Sequence, residues 1–321
     1  MSLRRTTTIR FAALATLLTV LPWAANAHSG CDDASCAGTV RTTSAITAPM
    51  AASVPLPSAP ATDSTGSTGS TDSSTDTATD VSPSTPTVAA KPLRVTRSFF
   101  WMNAMRSNLD WRARVTAADR MRTDVAHMRE DKTDLGVLAE VAADQRADFR
   151  RLGGKTWAMV AGGNQIDNVV VYRRTAFTQV ARSTMTTRYN DGLPIHVNIP
   201  VLRDNVTGTL VAVIPVHNPQ WHAGPWRTVS LRLEMAKIRQ LRRTHRDWQI
   251  VIAGDFNAAA SSACGLMGLG LASAQVDRRH CNRVRAIDQM YATPRLQPHA
   301  YRSVRTTATD HLREYHARLR F

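Results

Sequence analysis

The chain has 321 residues, of which 43% are hydrophobic, and it carries 40 basic against 25 acidic side chains. Its length allows one or two domains and excludes a longer string of them. Only four of the basic residues, but six of the acidic ones, precede residue 91, so the rest of the chain has a net charge of +17. A strongly cationic domain attracts polyanions such as nucleic acid, anionic membranes or wall polymers. Most of this charge is scattered arginine, so it supports an anionic partner without identifying one.

Residues 1–27 have the three parts of a secretory signal. Three arginines precede a short apolar stretch, which ends in the small residues of Ala25-Asn26-Ala27. The alternative is a membrane-spanning helix, but the apolar run is shorter than the ~20 residues that a bilayer requires, and Pro22 interrupts it. We therefore predict cleavage and export, with a secreted, extracellular or cell-surface location.

Residues 28–91 contain mainly Ser, Thr, Ala and Pro, with scattered Asp. Such a segment buries too little apolar surface to offset the entropy that ordering would cost. We predict a disordered linker here, followed by one folded domain over residues 92–321. Cys31 and Cys36 lie in the linker, and four cysteines in all suit an exported protein.

From residue 92 onward, apolar runs alternate with amphipathic stretches. In 111–131, for example, Met121, Val125 and Met128 recur at three- and four-residue steps, which indicates a helix. Two long helices among many strands predict a layered α/β or α+β domain. The predicted helices are 111–131, 142–152 and 228–246, and the predicted strands are 95–104, 134–141, 156–162, 168–177, 196–204, 208–218, 248–254, 286–293 and 311–321.

Polar side chains recur where these apolar strands end. The stretch IVIAGDFNAAASSACG (250–265) places Asp255 and Asn257 directly after a strand, among small residues that would let a ligand approach closely. One Asp or Asn in such a place is most often a turn former. A whole series along one rim of a layered sheet predicts a ligand site. The series comprises Asn103, Glu140, His217, Asp255, Asn257, Asp288, Asp310 and His311.

The motifs DLGVLAEV, GDFN, AID and TDH, in this order, resemble those of the endonuclease/exonuclease/phosphatase superfamily, the fold of deoxyribonuclease I and neutral sphingomyelinases. The resemblance spans nearly all of residues 92–321. It implies a layered α/β sandwich in which two packed mixed β-sheets are flanked by helices. It also implies a divalent-metal-dependent phosphodiesterase.

The resemblance further implies roles for the strand-end residues. Glu140 would be the principal ligand of Mg²⁺, with Mn²⁺ or Ca²⁺ as alternatives, and Asn103 and Asp310 would lie beside it. Ala139 stands where family members usually have Gln, and Thr309 where Ser is commoner. The implied catalytic set is His217, Asp255, Asn257, Asp288 and His311, with Asn168 and Tyr172 as weaker candidates for phosphate contact.

Cys264 and Cys281 flank a short segment after GDFN. Zinc is one interpretation, but the pair lacks the CxxC spacing and a matching histidine pair, so a disulfide is favoured. A bridge at this place is also similar to the one that follows GDFN in deoxyribonuclease I.

These observations predict a secreted nuclease that acts on extracellular nucleic acid as a monomer, with no protein partner implied. Two alternatives stay open. A sphingomyelinase-like phospholipid phosphodiesterase would need a membrane-contact loop, for which NPQWHAGPW (218–226) is the candidate, although its tryptophans could equally pack in the core. A degenerate family member would bind a surface polyanion without hydrolysing it.

Overall fold

The computed structural model describes residues 93–112, 114–161 and 167–321. The predicted signal and linker, with Cys31 and Cys36, lie outside these residues. Among the described residues, no helix combines the length and hydrophobicity that a membrane crossing requires.

Two six-stranded mixed sheets form the centre of the domain. The first sheet has the strand order β11-β12-β1-β2-β4-β3, and the second has the order β5-β6-β7-β8-β10-β9. The strands are β1 (Thr96–Asn103), β2 (Leu135–Ala139), β3 (Trp157–Val160), β4 (Val169–Arg173), β5 (Phe177–Arg188), β6 (Pro194–Asp204), β7 (Leu210–His217), β8 (Gln249–Asp255), β9 (Ala272–Ser273), β10 (Asp288–Ala292), β11 (His299–Arg305) and β12 (Arg313–Arg320). The helices are α1 (Ala117–Glu130), α2 (Ala143–Gly153), α3 (Gly224–Thr244) and α4 (Ala260–Gly268).

The sheets pack face to face, and helices cover their outer faces. In β1, Phe99 and Trp101 lie in the core between the sheets, while Phe100 and Met102 pack under α1 and α2. Successive side chains of a strand point to opposite faces, so a strand covered on both sides is apolar at every position. A separate core joins the second sheet to α3 and α4. This architecture confirms the predicted layered sandwich.

The structure also contains elements that were not predicted. Strand β5 (Phe177–Arg188) alternates buried and exposed positions, so its sequence has no continuous apolar run. Strand β11 (His299–Arg305) and helix α4 (Ala260–Gly268) were missed as well. The first helix begins at Ala117 instead of Trp111, because Thr116 caps it by accepting a hydrogen bond from the backbone N–H of Asp119 (3.2 Å).

Candidate active site

The strand topology brings the ends of both sheets to one edge. Strands β1 and β2 are parallel, as are β7 and β8, so each pair delivers two strand ends to the same side. Strand β10 runs antiparallel to β8 and starts with Asp288 opposite Asp255. The two sheets meet at this edge, where the Asn103 amide lies 3.4 Å from an Asp255 oxygen.

Glu140 follows β2 in the left-handed backbone region, with a φ of 57°. Its Oε1 accepts a hydrogen bond from Asn103 Nδ2 (3.0 Å) and lies 3.3 Å from His217 Nε2, and its Oε2 accepts one from the backbone N–H of Arg106 (3.4 Å). Burial would raise the pKa of Glu140, but His217, Asn103 and Arg106 together lower that pKa below its usual value. The side chain is therefore a carboxylate at neutral pH.

Asp255 lies deeper in the site and is 1% exposed. Its Oδ1 accepts a hydrogen bond from the backbone N–H of Asn257 (2.7 Å), and its Oδ2 accepts one from the Asn257 side-chain amide (3.2 Å). Burial and the charge of Asp288 raise the pKa of Asp255 to about 6, against the opposing effects of His217 and His311. The group is thus mostly ionised at neutral pH but can accept a proton.

His311 and Asp288 form a close pair, in which His311 Nδ1 lies 2.6 Å from Asp288 Oδ2. Burial would lower the pKa of His311, but the bond to Asp288 and the charges of Asp255 and Asp310 outweigh it and raise that pKa to about 10. The backbone N–H of His311 donates to Thr309 Oγ1 (3.1 Å), so threonine supplies the hydroxyl at this position. The imidazolium therefore points its other nitrogen, Nε2, toward Asp255, 3.8 Å away.

This edge concentrates negative charge in a way that suits a cation. Burial raises the pKa of Asp288, and the hydrogen bond and charge of His311 lower it only in part. The charges of Asp310 and Glu140 raise this pKa further. Asp288 Oδ1 is also buried without a hydrogen-bond partner in the described part of the chain. Carboxylate and amide oxygens are the ligands of hard divalent ions, so the residues fit such an ion.

Two groups of residues could hold that ion. One is the predicted set of Glu140, Asn103 and Asp310. The other is Asp255, Asp288 and His311, whose candidate ligand atoms all lie within 4.8 Å of one another. In this second group the His311–Asp288 hydrogen bond already uses one ring nitrogen and one carboxylate oxygen, and in the first set Asn103 Oδ1 accepts from the backbone N–H of Met105 (2.9 Å), so hydrogen bonding does not rank the two groups.

Of the two weaker candidates for phosphate contact, Asn168 lies at the site and Tyr172 does not. Asn168 precedes β4 and is 3% exposed, and neither atom of its amide has a partner among the described residues. It lies beside Glu140, because the backbone N–H of Val141 donates to the carbonyl of Asp167 (2.8 Å). Tyr172 does not reach the site. It pairs with Leu135 at the opposite end of β2 and packs in the core between the sheets, so its predicted phosphate contact is corrected.

Two buried glutamines fix the loops of the site. Gln145 accepts from the backbone N–H groups of Ser107 (3.1 Å) and Ala142 (3.0 Å) and donates to the carbonyl of Met105 (3.0 Å), which joins the loops after β1 and β2. Gln289 donates to the carbonyl of Ala258, directly after GDFN (2.7 Å), and to that of Ala286, just before β10 (2.6 Å). Neither glutamine has a sequence signal, because its partners are backbone groups.

Gly254 serves the packing of the strands. Its φ is 132°, and a Cβ at this position would lie 2.1 Å from the carbonyl oxygen of Val216 on β7. Only glycine tolerates both conditions. The small residue before Asp255 therefore permits close approach of β7 to β8, which corrects the expectation that it makes room for a ligand.

A disulfide joins Cys264 in α4 to Cys281 in the 3-10 helix Arg278–Arg283, with 4.9 Å between the Cα atoms. The prediction of this bridge is confirmed. It closes the segment that separates the GDFN loop from Asp288, and so restrains both sides of the site.

Asn218, Glu234 and Asn257 form a chain of contacts behind the site that sequence patterns did not indicate. Glu234 on α3 is 1% exposed, and its Oε2 accepts a hydrogen bond from Asn218 Nδ2 (3.3 Å). The Asn218 carbonyl accepts one from the Asn257 side-chain amide (2.8 Å). Burial raises the pKa of Glu234 to about 8, although the hydrogen bond from Asn218 lowers that pKa in part.

Glu234→Gln is expected to remove part of the pH dependence of folding. The folded chain keeps the Glu234 proton up to about pH 8, whereas an unfolded glutamate loses it near its usual pKa of 4.5. The proton therefore stabilises the fold below pH 4.5, and this stability is lost as pH rises through 8. The loss is on the order of 5 kcal/mol at most, by the free energy of one pKa unit.

Urea unfolding of the wild type and Glu234→Gln at a series of pH values measures this difference. The free energy of unfolding should fall more steeply with pH in the wild type, between about pH 4.5 and 8. Glu130→Gln, at an exposed position on α1, is the matched control and should follow the wild type. Parallel curves for all three proteins would contradict the prediction.

Comparisons with known proteins agree with this geometry. The profile of the Endonuclease/Exonuclease/phosphatase family matches residues 107–311. No curated protein matches the chain. Among solved structures, the chain is similar to an endonuclease/exonuclease/phosphatase from Bacteroides vulgatus (14% identity, TM-score 0.58, covering 70% of this chain and 98% of that one). It is also similar to the human Nocturnin catalytic domain (13%, 0.54, 71% and 96%) and to the mannosyl-6-phosphatase Bt3783 of Bacteroides thetaiotaomicron (15%, 0.52, 70% and 98%).

At these identities the solved structures establish the fold alone, and the profile covers well over half of the chain. The sandwich of two mixed sheets, the order of the motifs and the profile match agree with one another. The chain therefore belongs to the Endonuclease/Exonuclease/phosphatase family of phosphoric ester hydrolases.

Proposed function

We propose that the chain is a secreted, divalent-metal-dependent nuclease that hydrolyses phosphodiester bonds of extracellular nucleic acid by attack of water on phosphorus. One observation carries the proposal: a buried carboxylate, Asp255, lies within 4 Å of two imidazoles, His217 and His311, at an edge rich in oxygen ligands. The net charge of +17 after residue 90 supports a polyanionic substrate.

Asp255 is the proposed general base. Its two oxygens are held by the backbone and side chain of Asn257, so the carboxylate has one orientation toward the site. A pKa of about 6, caused by burial and by Asp288, matches a base that takes a proton from water near neutral pH. Asn257 itself is partly exposed and can also orient the attacking water or a phosphoryl oxygen.

His311 is the proposed donor to the phosphate. Asp288 binds its Nδ1 and favours the imidazolium, which leaves Nε2–H to stabilise negative charge on a phosphoryl oxygen. His217 approaches from the other sheet, and its buried Nδ1 has no hydrogen-bond partner among the described residues. It is therefore the candidate for proton transfer at the leaving group, and Asn168 is a candidate donor to the phosphate.

Members of this family generally depend on a divalent metal. In this chain Glu140, Asn103 and Asp310 would hold it, because they offer carboxylate and amide oxygens and Asp310 remains 48% exposed at its side chain. Mg²⁺ is the proposed ion. When bound, such an ion supplies electrophilic stabilisation of the charge that develops on the phosphoryl group.

A second candidate function is hydrolysis of a phospholipid headgroup. It is favoured by one observation: Trp221 is 81% exposed and Trp226 is 39% exposed, so the tryptophans of segment 218–226 do not fill the core. Exposed indoles suit a membrane interface, as they suit contact with nucleic-acid bases. Release of phosphocholine from sphingomyelin vesicles would favour this alternative over the nuclease.

Incubation of the full chain with supercoiled plasmid tests the nuclease proposal. We expect nicking with Mg²⁺, none with EDTA and none with Asp255→Ala. Asp247→Ala, at an exposed position after α3, is the matched control and should nick like the wild type. If the folded, metal-loaded protein leaves plasmid and RNA intact, the nuclease proposal fails. Lipid headgroups and small phosphoesters are then the substrates to test next. Absence of metal binding would favour a polyanion-binding protein without activity.

A further inference from the structure

A cavity of about 770 Å³ opens beside Asp310, at the edge of the candidate active site. Its volume lies within the range of roughly 300–1,000 Å³ that is typical of ligand sites. One wall comes from α1 and the loop before it, and the other from the end of β11 and the loop that leads to Asp310. The lining includes residues with charged or hydroxyl side chains, among them Arg114, His127, Arg305, Thr306, Thr309 and Asp310.

The two arginines of this cavity differ from their neighbours. Arg106 and Arg302, on nearby elements, form ion pairs with Asp167 and Asp131. In contrast, the side chains of Arg114 and Arg305 have no ion pair or hydrogen bond within the described ranges, although both residues line the cavity. Two guanidinium groups therefore stand on opposite walls of one cavity, and neither forms an ion pair with a carboxylate of the described residues.

The other charged groups around the cavity do not cancel this pair. His127 is held by Glu314, with 2.6 Å between Nδ1 and Oε2. Asp310 is the one carboxylate in the described lining, and its Oδ1 lies 4.0 Å from His311 Nε2 in the candidate active site. The two arginines therefore outnumber the one carboxylate of the described lining, and the cavity adjoins the candidate active site through Asp310, which precedes His311 in the chain.

The cavity also offers hydroxyl donors. Thr306 Oγ1 accepts from the backbone N–H of Ala308 (3.0 Å), and Thr309 Oγ1 accepts from that of His311 (3.1 Å). A hydroxyl that accepts one hydrogen bond still has its own proton to donate. Guanidinium and hydroxyl groups together bind phosphate oxygens well, because arginine can donate two parallel hydrogen bonds.

We propose that this cavity binds a second phosphate of the substrate, next to the phosphate that is hydrolysed. The inference rests on the proposed nuclease function and deepens it. A polynucleotide strand carries phosphates at regular short intervals, whereas a simple phosphoester or sphingomyelin has only one. The cavity thus selects polynucleotides over single-phosphate esters through Arg114 and Arg305, which bind the flanking phosphate.

Steady-state kinetics of the full chain on two substrates tests the proposal. One is a single-stranded oligonucleotide, and the other is bis(p-nitrophenyl) phosphate, which has one phosphodiester and no flanking phosphate. The double variant Arg114→Ala/Arg305→Ala should raise KM for the oligonucleotide and leave kcat/KM for the small ester unchanged. The control Arg243→Ala/Arg246→Ala removes two exposed arginines at the end of α3 and should change neither.

Salt gives an independent readout. Two lost phosphate contacts on a single strand should reduce the slope of log KM against log salt by about 1.4. Between 50 and 200 mM salt, the wild type should therefore lose about sevenfold more apparent affinity than the double variant.

Equal losses on both substrates, or no loss on the oligonucleotide, would overturn the second-phosphate site. The site would also be overturned if the control variant lowered oligonucleotide affinity as much as the double variant does. In that case any loss of positive charge from the surface would produce the effect. Hydrolysis of the small ester without hydrolysis of the oligonucleotide by the wild type would also overturn it. Failure of the wild type on both substrates would instead overturn the proposed function, and this inference with it.

Discussion

Asp255→Asn should lower kcat by about 10²–10⁴-fold, the usual contribution of a general base, while the protein stays folded. The amide keeps the shape of the side chain and its contact with the Asn257 backbone, but it cannot take a proton from water. The substitution also removes one of two buried carboxylates that lie opposite each other on β8 and β10. We therefore expect the thermal midpoint of unfolding to be equal to or higher than that of the wild type.

The two measurements separate a catalytic role from a structural one. Activity is measured on plasmid and on bis(p-nitrophenyl) phosphate, and unfolding is followed by circular dichroism. Asp247→Asn is the control for loss of one negative charge on the surface. A variant that retains activity would refute Asp255 as the base, and a variant that is both inactive and much less stable would indicate a structural role.

Glu140→Gln should weaken binding of the divalent metal at least tenfold, with a similar or larger loss of kcat. A neutral amide loses the charge that dominates attraction of a hard cation. The affinity is measured by calorimetric titration with Mg²⁺ or Mn²⁺, which does not depend on turnover. The contact with Asn103 can persist through the amide oxygen, so the fold is expected to remain intact.

The same titration on Asp288→Asn discriminates between the two ligand groups. If Glu140 is the principal ligand, Asp288→Asn should affect metal affinity less than Glu140→Gln, because Asp288 is committed to His311. The reverse order would assign the ion to Asp255, Asp288 and His311, which also lie close enough together.

Buried strands were predictable because both faces of the central strands are covered, which makes the run FFWM before Asn103 apolar throughout. The gathering of strand-end residues followed from their common edge. The sequence did not show how far Tyr172 lies from the site. That distance depends on the register of β4 with β2, which pairs Tyr172 with Leu135. Glu234 looked like an ordinary polar helix position, since its partner Asn218 lies 16 residues away in the chain.

The pairing of β12 with β1 determines when the site becomes complete. The first described strand supplies Asn103, and the last is preceded by Asp310 and His311, so these groups meet only after the two strands pair. A chain that has formed every element through β10 has Asp255 and Glu140, the proposed base and metal ligand, yet it lacks the imidazolium of His311. A fragment without β11 and β12 also lacks the pairing that holds His311 at this edge, so we expect such a fragment to be inactive even if its other layers pack well.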